Sequence, residues 1–326
     1  MEKGEILDRI NAALKSAMTV SDFGLGILQP EKAEKFVRAM ENDTSILPEA
    51  RYIKMNSHTR DIDRIGFGTR ISIPGKAGGV TYVPDDDDIV KPTVATNQLI
   101  AREVIAVAGI EDDSIEDNIE KAEFEDTLLE LVGEAVGRDL EELALLGDTD
   151  SSDTYIAITD GWAKLAANAV YGAGAGKDFD PAGTDYPTDM FEAMLGALPK
   201  KYLKDRSKWR FYVPFDVENK YRNLMIKRNT GLGDAALQNA EPVSYKGILV
   251  KIAPVIERAS AEVGDIAMLA YPDNLCWGVW RDIKMEPDRL PKARRTDIVV
   301  STRVDANYED ENGSVVSYIE QAKPGS

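Results

Sequence analysis

Hydrophobic and polar positions follow two successive patterns in the first half of the chain. Apolar and polar residues alternate over 95–108, which predicts a β-strand. After an acidic turn, apolar residues recur at three- and four-residue intervals, which predicts an amphipathic helix: Ile115, Ile119, Ala122, Phe124, Leu128, Leu131 and Ala135. Ser114 can cap this helix and Gly147 can end it. The predicted helix covers residues 114–147, about 50 Å at roughly 1.5 Å per residue, much longer than the usual globular helix.

Two glycines interrupt this predicted helix at Gly133 and Gly137. Each destabilises a helix interior by about 1 kcal/mol relative to alanine. Because residues four apart share one face, we predict a groove on that face in which another backbone approaches closely. A tolerated kink is the alternative.

The segment before the strand predicts a two-stranded hairpin. Residues 65–74 alternate like a strand, the Gly-rich stretch 75–79 predicts a turn, and 80–83 can return as the partner strand. An isolated hairpin is marginally stable in water, and its edge can pair with another chain. The first fifty residues predict an arm of short helices and linkers, because their apolar content is too low for them to fold alone.

The second half of the chain mixes helices and strands without a repeat. The pattern predicts helices over 190–200 and 215–227 and strands over 209–213, 245–252, 266–270, 275–280, 296–304 and 315–319. This order is neither a repeating strand–helix–strand unit nor all-strand, so the predicted fold class is α+β.

Composition narrows the classes of function. The 326 residues carry a formal net charge of −18, which excludes a free-standing nucleic-acid binder. No apolar run is long enough for a transmembrane helix, and the N-terminus lacks the features of a signal peptide. Cys276 is the sole cysteine, which excludes an internal disulfide. Synthesis in the cytoplasm is consistent with these features.

The sequence offers no combination of residues that is typical of a catalytic site. His58 is the single histidine and lies in a polar stretch, so a solvent-exposed loop histidine is the favoured interpretation over Ser-His-Asp or Cys-His chemistry. Five carboxylates of the predicted helix could suggest paired acid/base groups or a di-metal site, but di-metal bundles need a Glu-x-x-His pair: Glu116, Glu120, Glu123, Glu130 and Glu134. We therefore interpret these carboxylates as a solvated face and predict no catalytic residue.

The candidate ligand sites are equally weak. Four aspartates, Asp85, Asp86, Asp87 and Asp88, could attract a divalent cation, but their spacing matches no EF-hand loop. The glycine-rich stretches 75–79 and 231–235 lack the phosphate-binding pattern. The basic cluster 292–295 could face DNA or an acidic neighbour, and we favour a subunit contact. No cofactor and no metal are predicted.

The order of elements resembles the major capsid protein of tailed bacteriophages, the Hong Kong 97-type fold shared with encapsulins and herpesvirus shells. Phrases typical of the family occur in the family's order: Leu145-Leu-Gly-Asp148, Gly161-Trp-Ala-Lys-Leu165, Trp209-Arg-Phe-Tyr-Val-Pro214, Tyr245-Lys-Gly-Ile-Leu-Val250 and Gly264-Asp-Ile-Ala-Met268. The resemblance covers nearly all of the chain, although each phrase alone has low specificity.

The resemblance implies a division of the chain into an N-terminal arm, an extended hairpin loop and two domains. The corresponding residues are 1–59 for the arm, 60–94 for the loop, 95–150 with 281–326 for the peripheral domain with its spine helix at 114–147, and 151–280 for the axial domain. Met1 opens directly into the arm, without the long scaffolding extension of some members. We therefore expect a separate scaffolding protein or none.

The resemblance also implies a function. We expect a subunit that forms hexamers and pentamers of an icosahedral head shell, encloses double-stranded DNA without reading its sequence, and resides in the virion after synthesis in the host cytoplasm. Expected partners are other copies, a scaffolding protein, a portal and decoration proteins, with no membrane. Candidate contacts between subunits are Arg64, Arg70, Lys76 and Asp85, Asp86, Asp87 and Asp88, while Gly133 and Gly137 are assigned to packing of the spine helix.

Two alternatives stay open on sequence grounds. An encapsulin-type compartment would share the fold, and a pocket for a short cargo peptide would distinguish it. An acidic cytosolic enzyme is the remote third alternative. For the phage shell, we hypothesise that an acidic inner surface would keep the packaged DNA phosphates from being held tightly.

Overall fold

The computed structural model describes residues 44–67, 70–72, 76–77, 80–81, 89–111, 121–227, 243–259, 264–290 and 292–324. The strands are β1 Arg51–Lys54, β2 Thr59–Gly66, β3 Lys76–Ala77, β4 Val80–Thr81, β5 Thr93–Ile100, β6 Arg102–Glu111, β7 Asn168–Ala173, β8 Arg210–Val213, β9 Ser244–Tyr245, β10 Ile248–Ile252, β11 Ile266–Ala270, β12 Leu275–Leu290, β13 Arg295–Tyr308 and β14 Ser314–Ala322. The α-helices are α1 Lys121–Leu146, α2 Trp162–Leu165, α3 Tyr186–Ala197 and α4 Phe215–Lys227.

One half of the fold is a four-stranded sheet, in the order β1-β12-β13-β6, which packs against α1. β1 runs parallel to β12, and the other neighbours are antiparallel. Apolar residues of the helix and the sheet share one hydrophobic cluster: Val136, Leu140, Leu143, Val104, Ile298 and Val300.

The other half is a six-stranded mixed sheet in the order β7-β14-β11-β8-β10-β9. Its central strand β11 is buried along its whole length. Beside it, Phe191 of α3 lies 4.5 Å from Phe211 of β8 and 5.3 Å from Tyr245 of β9, measured between ring centroids. These aromatic contacts close the core between α3 and the sheet.

The predicted strand 245–252 is wrong, because a tight turn divides it. Lys246 and Gly247 have φ of 49° and 85°, and they connect β9 to β10 as an antiparallel pair. Two consecutive residues with positive φ are the signature of a type I′ hairpin turn, for which a glycine at the second position is favourable.

The long helix is present, and its described part begins at Lys121 and ends at Leu146, one residue before the predicted Gly147. Its inward face differs from the predicted stripe, since Leu131 is 55% exposed. Extending the stripe from Leu131 would turn polar Arg138 and Glu142 inward. The buried face instead begins one residue later and includes Gly133, Gly137, Val136, Leu140 and Leu143.

Glycines allow a close backbone approach where α1 ends. The Gly161 N–H donates to the Gly147 carbonyl at 2.8 Å. A Cβ added at Gly147 would meet the carbonyl of Thr159 and lie 2.6 Å from that of Leu143, and one added at Gly161 would lie 2.6 Å from the Gly147 nitrogen. The two glycines therefore fix the start of the six-stranded half against the end of the helix.

Candidate assembly surfaces

A two-stranded hairpin projects from the four-stranded sheet. β2 and β5 pair antiparallel from Thr59 opposite Ile100 to Gly66 opposite Thr93. The predicted single strand 95–108 is therefore wrong: its first part belongs to this hairpin, and its second part, β6, belongs to the sheet. The chain changes direction at Ala101, which is buried and donates its N–H to the His58 carbonyl at 2.9 Å.

The inner face of the hairpin is anchored on the sheet. Leu99 is fully buried in a small cluster with Ile62 of the opposite hairpin strand and with Met55. The space it occupies exists because position 278 of β12 is glycine: a Cβ on Gly278 would lie 2.9 Å from Leu99 Cδ1 and 3.0 Å from Met55 Sδ. Apolar burial thus fixes the base of the hairpin.

The outer face of the hairpin changes from polar to apolar with distance from the base. Near the base, Gln98 donates to Asp61 at 2.8 Å. Further out, Ile65 stands opposite Val94, with exposed fractions of 69% and 56%. Three more large apolar side chains in the outer part are exposed: Phe67, Ile71 and Ile89. Contiguous exposed apolar residues commonly mark an interaction surface.

A second apolar surface lies on β6, at the edge of the four-stranded sheet. Ile105 and Val107 point away from α1 and are 60% and 62% exposed. Beside them, Glu103 approaches Arg303 at 3.4 Å and Arg281 at 3.9 Å. An edge strand with exposed apolar residues can take up another chain.

The basic cluster predicted at 292–295 occupies the tip of the hairpin formed by β12 and β13. Lys292, Ala293 and Arg294 are exposed, and Arg294 has a φ of 49° in the turn. Arg295 pairs with Asp297 of its own chain at 2.7 Å. The other cations of the tip face solvent, as a subunit contact requires.

The predicted contact residues have different environments. Arg64 forms an ion pair with Asp310 of its own chain. Arg70 is exposed, and Lys76 lies in β3 opposite Thr81. Asp85 to Asp88 lie outside the described residues. Contacts of these residues with another subunit, and the packing role of the buried Gly133 and Gly137, remain predictions.

Comparison with known proteins identifies the family. No family model matches the chain. A relative in Bacillus subtilis (strain 168), YqbE, whose name assigns it provisionally as a prophage capsid protein, is 34% identical over 305 residues, covering 91% of this chain and 94% of YqbE. The chain belongs to this phage capsid protein family. A structural role follows from that membership.

Solved capsid structures share the fold of this capsid protein. The satellite phage P4 procapsid chain matches with a TM-score of 0.55 and 14% identity, over 89% of this chain and 100% of that one. The capsid of an empty GTA particle matches with a TM-score of 0.57 and 16% identity, over 95% and 98%. The predicted α+β Hong Kong 97-type fold is confirmed.

One carboxylate of α1 is buried and was not among the predicted site residues: Glu141 is 2% exposed. It accepts hydrogen bonds from the Ser45 N–H and hydroxyl, both at 2.7 Å, and from the Ile46 N–H at 3.1 Å. Burial raises its pKa, and the Ser45 donors act in the opposite direction. Its position in register with Gly137 and Ala144, on the buried face, was the available signal.

The same segment is held from the six-stranded sheet. Lys251 of β10 donates to the Ser45 carbonyl at 2.6 Å and pairs with Glu49 at 2.9 Å, while the Tyr212 hydroxyl donates to Glu49 at 2.7 Å. Ser45 is thus bound to both halves of the fold. We name this contact the arm clamp: Ser45, Glu49, Glu141, Tyr212 and Lys251.

A lysine joins the end of α1 to the start of α2. Lys164 lies 2.5 Å from Asp148, 2.8 Å from Asp150 and 2.9 Å from Asp160. Burial opposes the charge on Lys164, but its hydrogen bonds to the three carboxylates outweigh that effect and raise its pKa. The hydrogen bond from Lys164 in turn lowers the pKa of Asp148.

The described residues offer little for catalysis. His58 is exposed and lies edge-on against Trp280, with ring centroids 5.6 Å apart. Within the described ranges, no three His, Cys, Asp or Glu side chains are grouped so that they could hold a metal ion. In the same part of the chain, no helix combines the length and the apolar character needed to cross a membrane.

Proposed function

We propose that this protein is the major capsid protein of a tailed phage or prophage, which self-assembles into the icosahedral head shell around double-stranded DNA. Family membership through the YqbE relative supports the capsid role. The structural observation that carries self-assembly is the apolar outer part of the hairpin, where Ile65 and Val94 are exposed opposite each other. If the hairpin made no contact outside its own subunit, polar residues at these positions would be more favourable, because they would be exposed to water.

In this proposal the outer part of the hairpin lies over a neighbouring subunit within hexamers and pentamers. Burying Ile65 and Val94 would release apolar surface from water, at about 25 cal/mol per Å². The buried Leu99 holds the base of the hairpin, and the Arg64–Asp310 ion pair holds it beside Ile65, which lowers the entropy that docking would remove. A scaffolding protein, a portal and decoration proteins complete the proposed partners, with the virion as location.

The relative's name favours a phage head over an encapsulin-type compartment. The acidic composition, with a formal net charge of −18, supports a shell that encloses DNA without holding its phosphates tightly. No described residue group supports the enzyme alternative.

The test is the double variant Ile65→Ser, Val94→Ser. Because both side chains are exposed in the subunit, its free energy of unfolding should change by less than about 0.5 kcal/mol, whereas the yield of shells in negative-stain micrographs should fall at least tenfold. Asp61→Asn on the same outer face, nearer the base, is the matched control and should assemble normally. Shells of normal yield and size from the double variant would contradict the proposal.

A further inference from the structure

The hairpin meets the end of β13 through side chains in place of a strand ladder. The Asn307 side-chain amide donates from Nδ2 to the Gln98 carbonyl at 2.8 Å. In the opposite direction, Asn97 of the hairpin donates from Nδ2 to the Tyr308 carbonyl at 2.9 Å. Two reciprocal amide-to-carbonyl bonds therefore fix β5 against β13 at adjacent positions on each strand.

A carboxylate of β13 fixes the next turn of the chain. Asp305 is buried and accepts the Ile100 N–H at 2.6 Å and the Thr159 hydroxyl at 2.5 Å. Ile100 is the last residue of β5, directly before the bend at Ala101. The angle between hairpin and sheet is thus determined by β13 and not by the bend alone.

Asn307 and Tyr308 of β13 also hold the start of the six-stranded half. The indole Nε1 of Trp162 donates to the Asn307 carbonyl at 3.0 Å. The Tyr308 hydroxyl donates to the Trp162 carbonyl at 2.7 Å, and both aromatic side chains are fully buried. Asn307 and Tyr308 therefore connect the hairpin on one side to Trp162 on the other.

The chemistry at position 307 specifically suits asparagine. Its Nδ2 faces the Gln98 carbonyl, an acceptor, and its Oδ1 accepts the Tyr308 N–H at 2.7 Å. An aspartate would keep the acceptor but lose the donor, and it would place a negative charge against a carbonyl oxygen. An alanine would lose both interactions.

We propose that Asn307 is a positioning residue that couples the direction of the hairpin to the six-stranded half through Tyr308 and Trp162. Loss of the Asn307 side-chain amide loosens β2 and β5 on the sheet while the hydrophobic cores of both halves stay folded. Since the hairpin is the proposed contact with a neighbour, this inference deepens the proposed function, and Asn307 then helps to set shell curvature.

Hydrogen–deuterium exchange of the full chain tests the coupling in Asn307→Asp. Because one hydrogen bond contributes roughly 1 kcal/mol and exchange reports local opening, peptides covering 59–66 and 93–100 should exchange about five- to tenfold faster than in the parent. Peptides covering β11 should be unchanged. Asn168→Asp is the matched control, since Asn168 Nδ2 also donates to backbone carbonyls, those of Asn312 and Ser314 at 3.1 Å, without touching the hairpin.

Equal hairpin exchange in Asn307→Asp and the parent, or equal acceleration in Asn168→Asp, would overturn the coupling. If Asn307→Asp fails to fold, Asn97→Ala removes the reciprocal bond from the hairpin side and should accelerate the same peptides. Micrographs separate the two proposals. Faster exchange with shells of uniform, normal diameter would retain the coupling and remove its role in curvature, and a failure of the parent to form shells would count against the proposed function alone.

Discussion

The two halves of the molecule differ in how completely their apolar strands are buried. All five residues of β11 are buried within the six-stranded sheet. On β6, at the edge of the four-stranded sheet, Val104 is buried but Ile105 and Val107 face solvent, and the hairpin exposes Ile65 in the same way. Among the described residues, Phe215 of α4 is the one exposed large apolar side chain of the six-stranded half, whereas the hairpin and β6 expose several, as interaction surfaces commonly do.

This contrast shows that hydrophobicity alone does not separate core from interface. β6 alternates as a half-buried strand should, but both faces of the alternation carry aliphatic residues. In a protein that functions as a single subunit, such a strand would risk aggregation. In a shell subunit, we propose, the same property favours contact with a neighbouring subunit.

The largest effect should come from removing an aromatic ring from the complete half. Phe211 is fully buried and contacts Phe191, so Phe211→Ala should lower the free energy of unfolding by about 3–5 kcal/mol. Phe67→Ala, the same substitution on the exposed hairpin, should change it by less than about 0.5 kcal/mol. Urea unfolding followed by tryptophan fluorescence measures both.

Comparable losses of stability from Phe211→Ala and Phe67→Ala would show that the hairpin contributes to the core of its own subunit. A drop in shell yield for Phe67→Ala without a change in stability would place Phe67 in a contact between subunits.

An intermediate effect should separate two adjacent residues of β6. Val104 packs in the cluster with α1, so Val104→Ala should destabilise the subunit by roughly 2 kcal/mol. Ile105→Ser should leave stability within about 0.5 kcal/mol and reduce self-association, measured by analytical ultracentrifugation. If Ile105→Ser associates as the parent does, β6 is not an assembly surface.

The smallest effect concerns Lys164 at the joint between the halves. Its carboxylate partners are partly exposed, so Lys164→Met should destabilise by only about 1 kcal/mol at neutral pH. The folded pKa of Asp148 is lowered from 3.8, mainly by its hydrogen bond to Lys164, so this stabilisation is present above pH 3.8 and is lost as pH falls through the lower folded value. Unfolding measured from pH 7 to pH 3 should show parent and variant converging at the acid end.

Lys208→Met is the control, because Lys208 lies 3.9 Å from Asp205 in a more exposed pair and should show a smaller difference at neutral pH. If the difference in free energy of unfolding between parent and Lys164→Met stays constant down to pH 3, the carboxylates are not its source.

Local patterns predicted those parts of the fold that local forces decide. The helix Phe215–Lys227 and the strand Ile266–Ala270 have their predicted bounds. The hydrophobic pattern specifies both elements, and Pro214 directly precedes the helix. The end of α1 before Gly147 was also predictable, although the reason, contact with Gly161, is long-range.

Features set by distant contacts could not be predicted. The bend at Ala101 depends on Asp305, which is far away in sequence, and an alternating pattern runs through the bend without interruption. The helical register of Glu141 with Gly137 and Ala144 indicates its buried side, but its partner Ser45, whose N–H donates to it, lies far away in sequence. The resemblance to capsid proteins supplied the hairpin as a projecting element, but not which of its side chains stay exposed.

The arm clamp gives the chain upstream of it a fixed origin. Ser45 is bound to Glu141 of α1 and to Lys251 of the six-stranded sheet, so its position is fixed relative to both halves of the subunit. The distance that the preceding residues can reach therefore starts from Ser45. Each extended residue adds at most about 3.6 Å to that reach. The clamp therefore turns the number of residues between it and a contact into an upper limit on the distance that the arm can span.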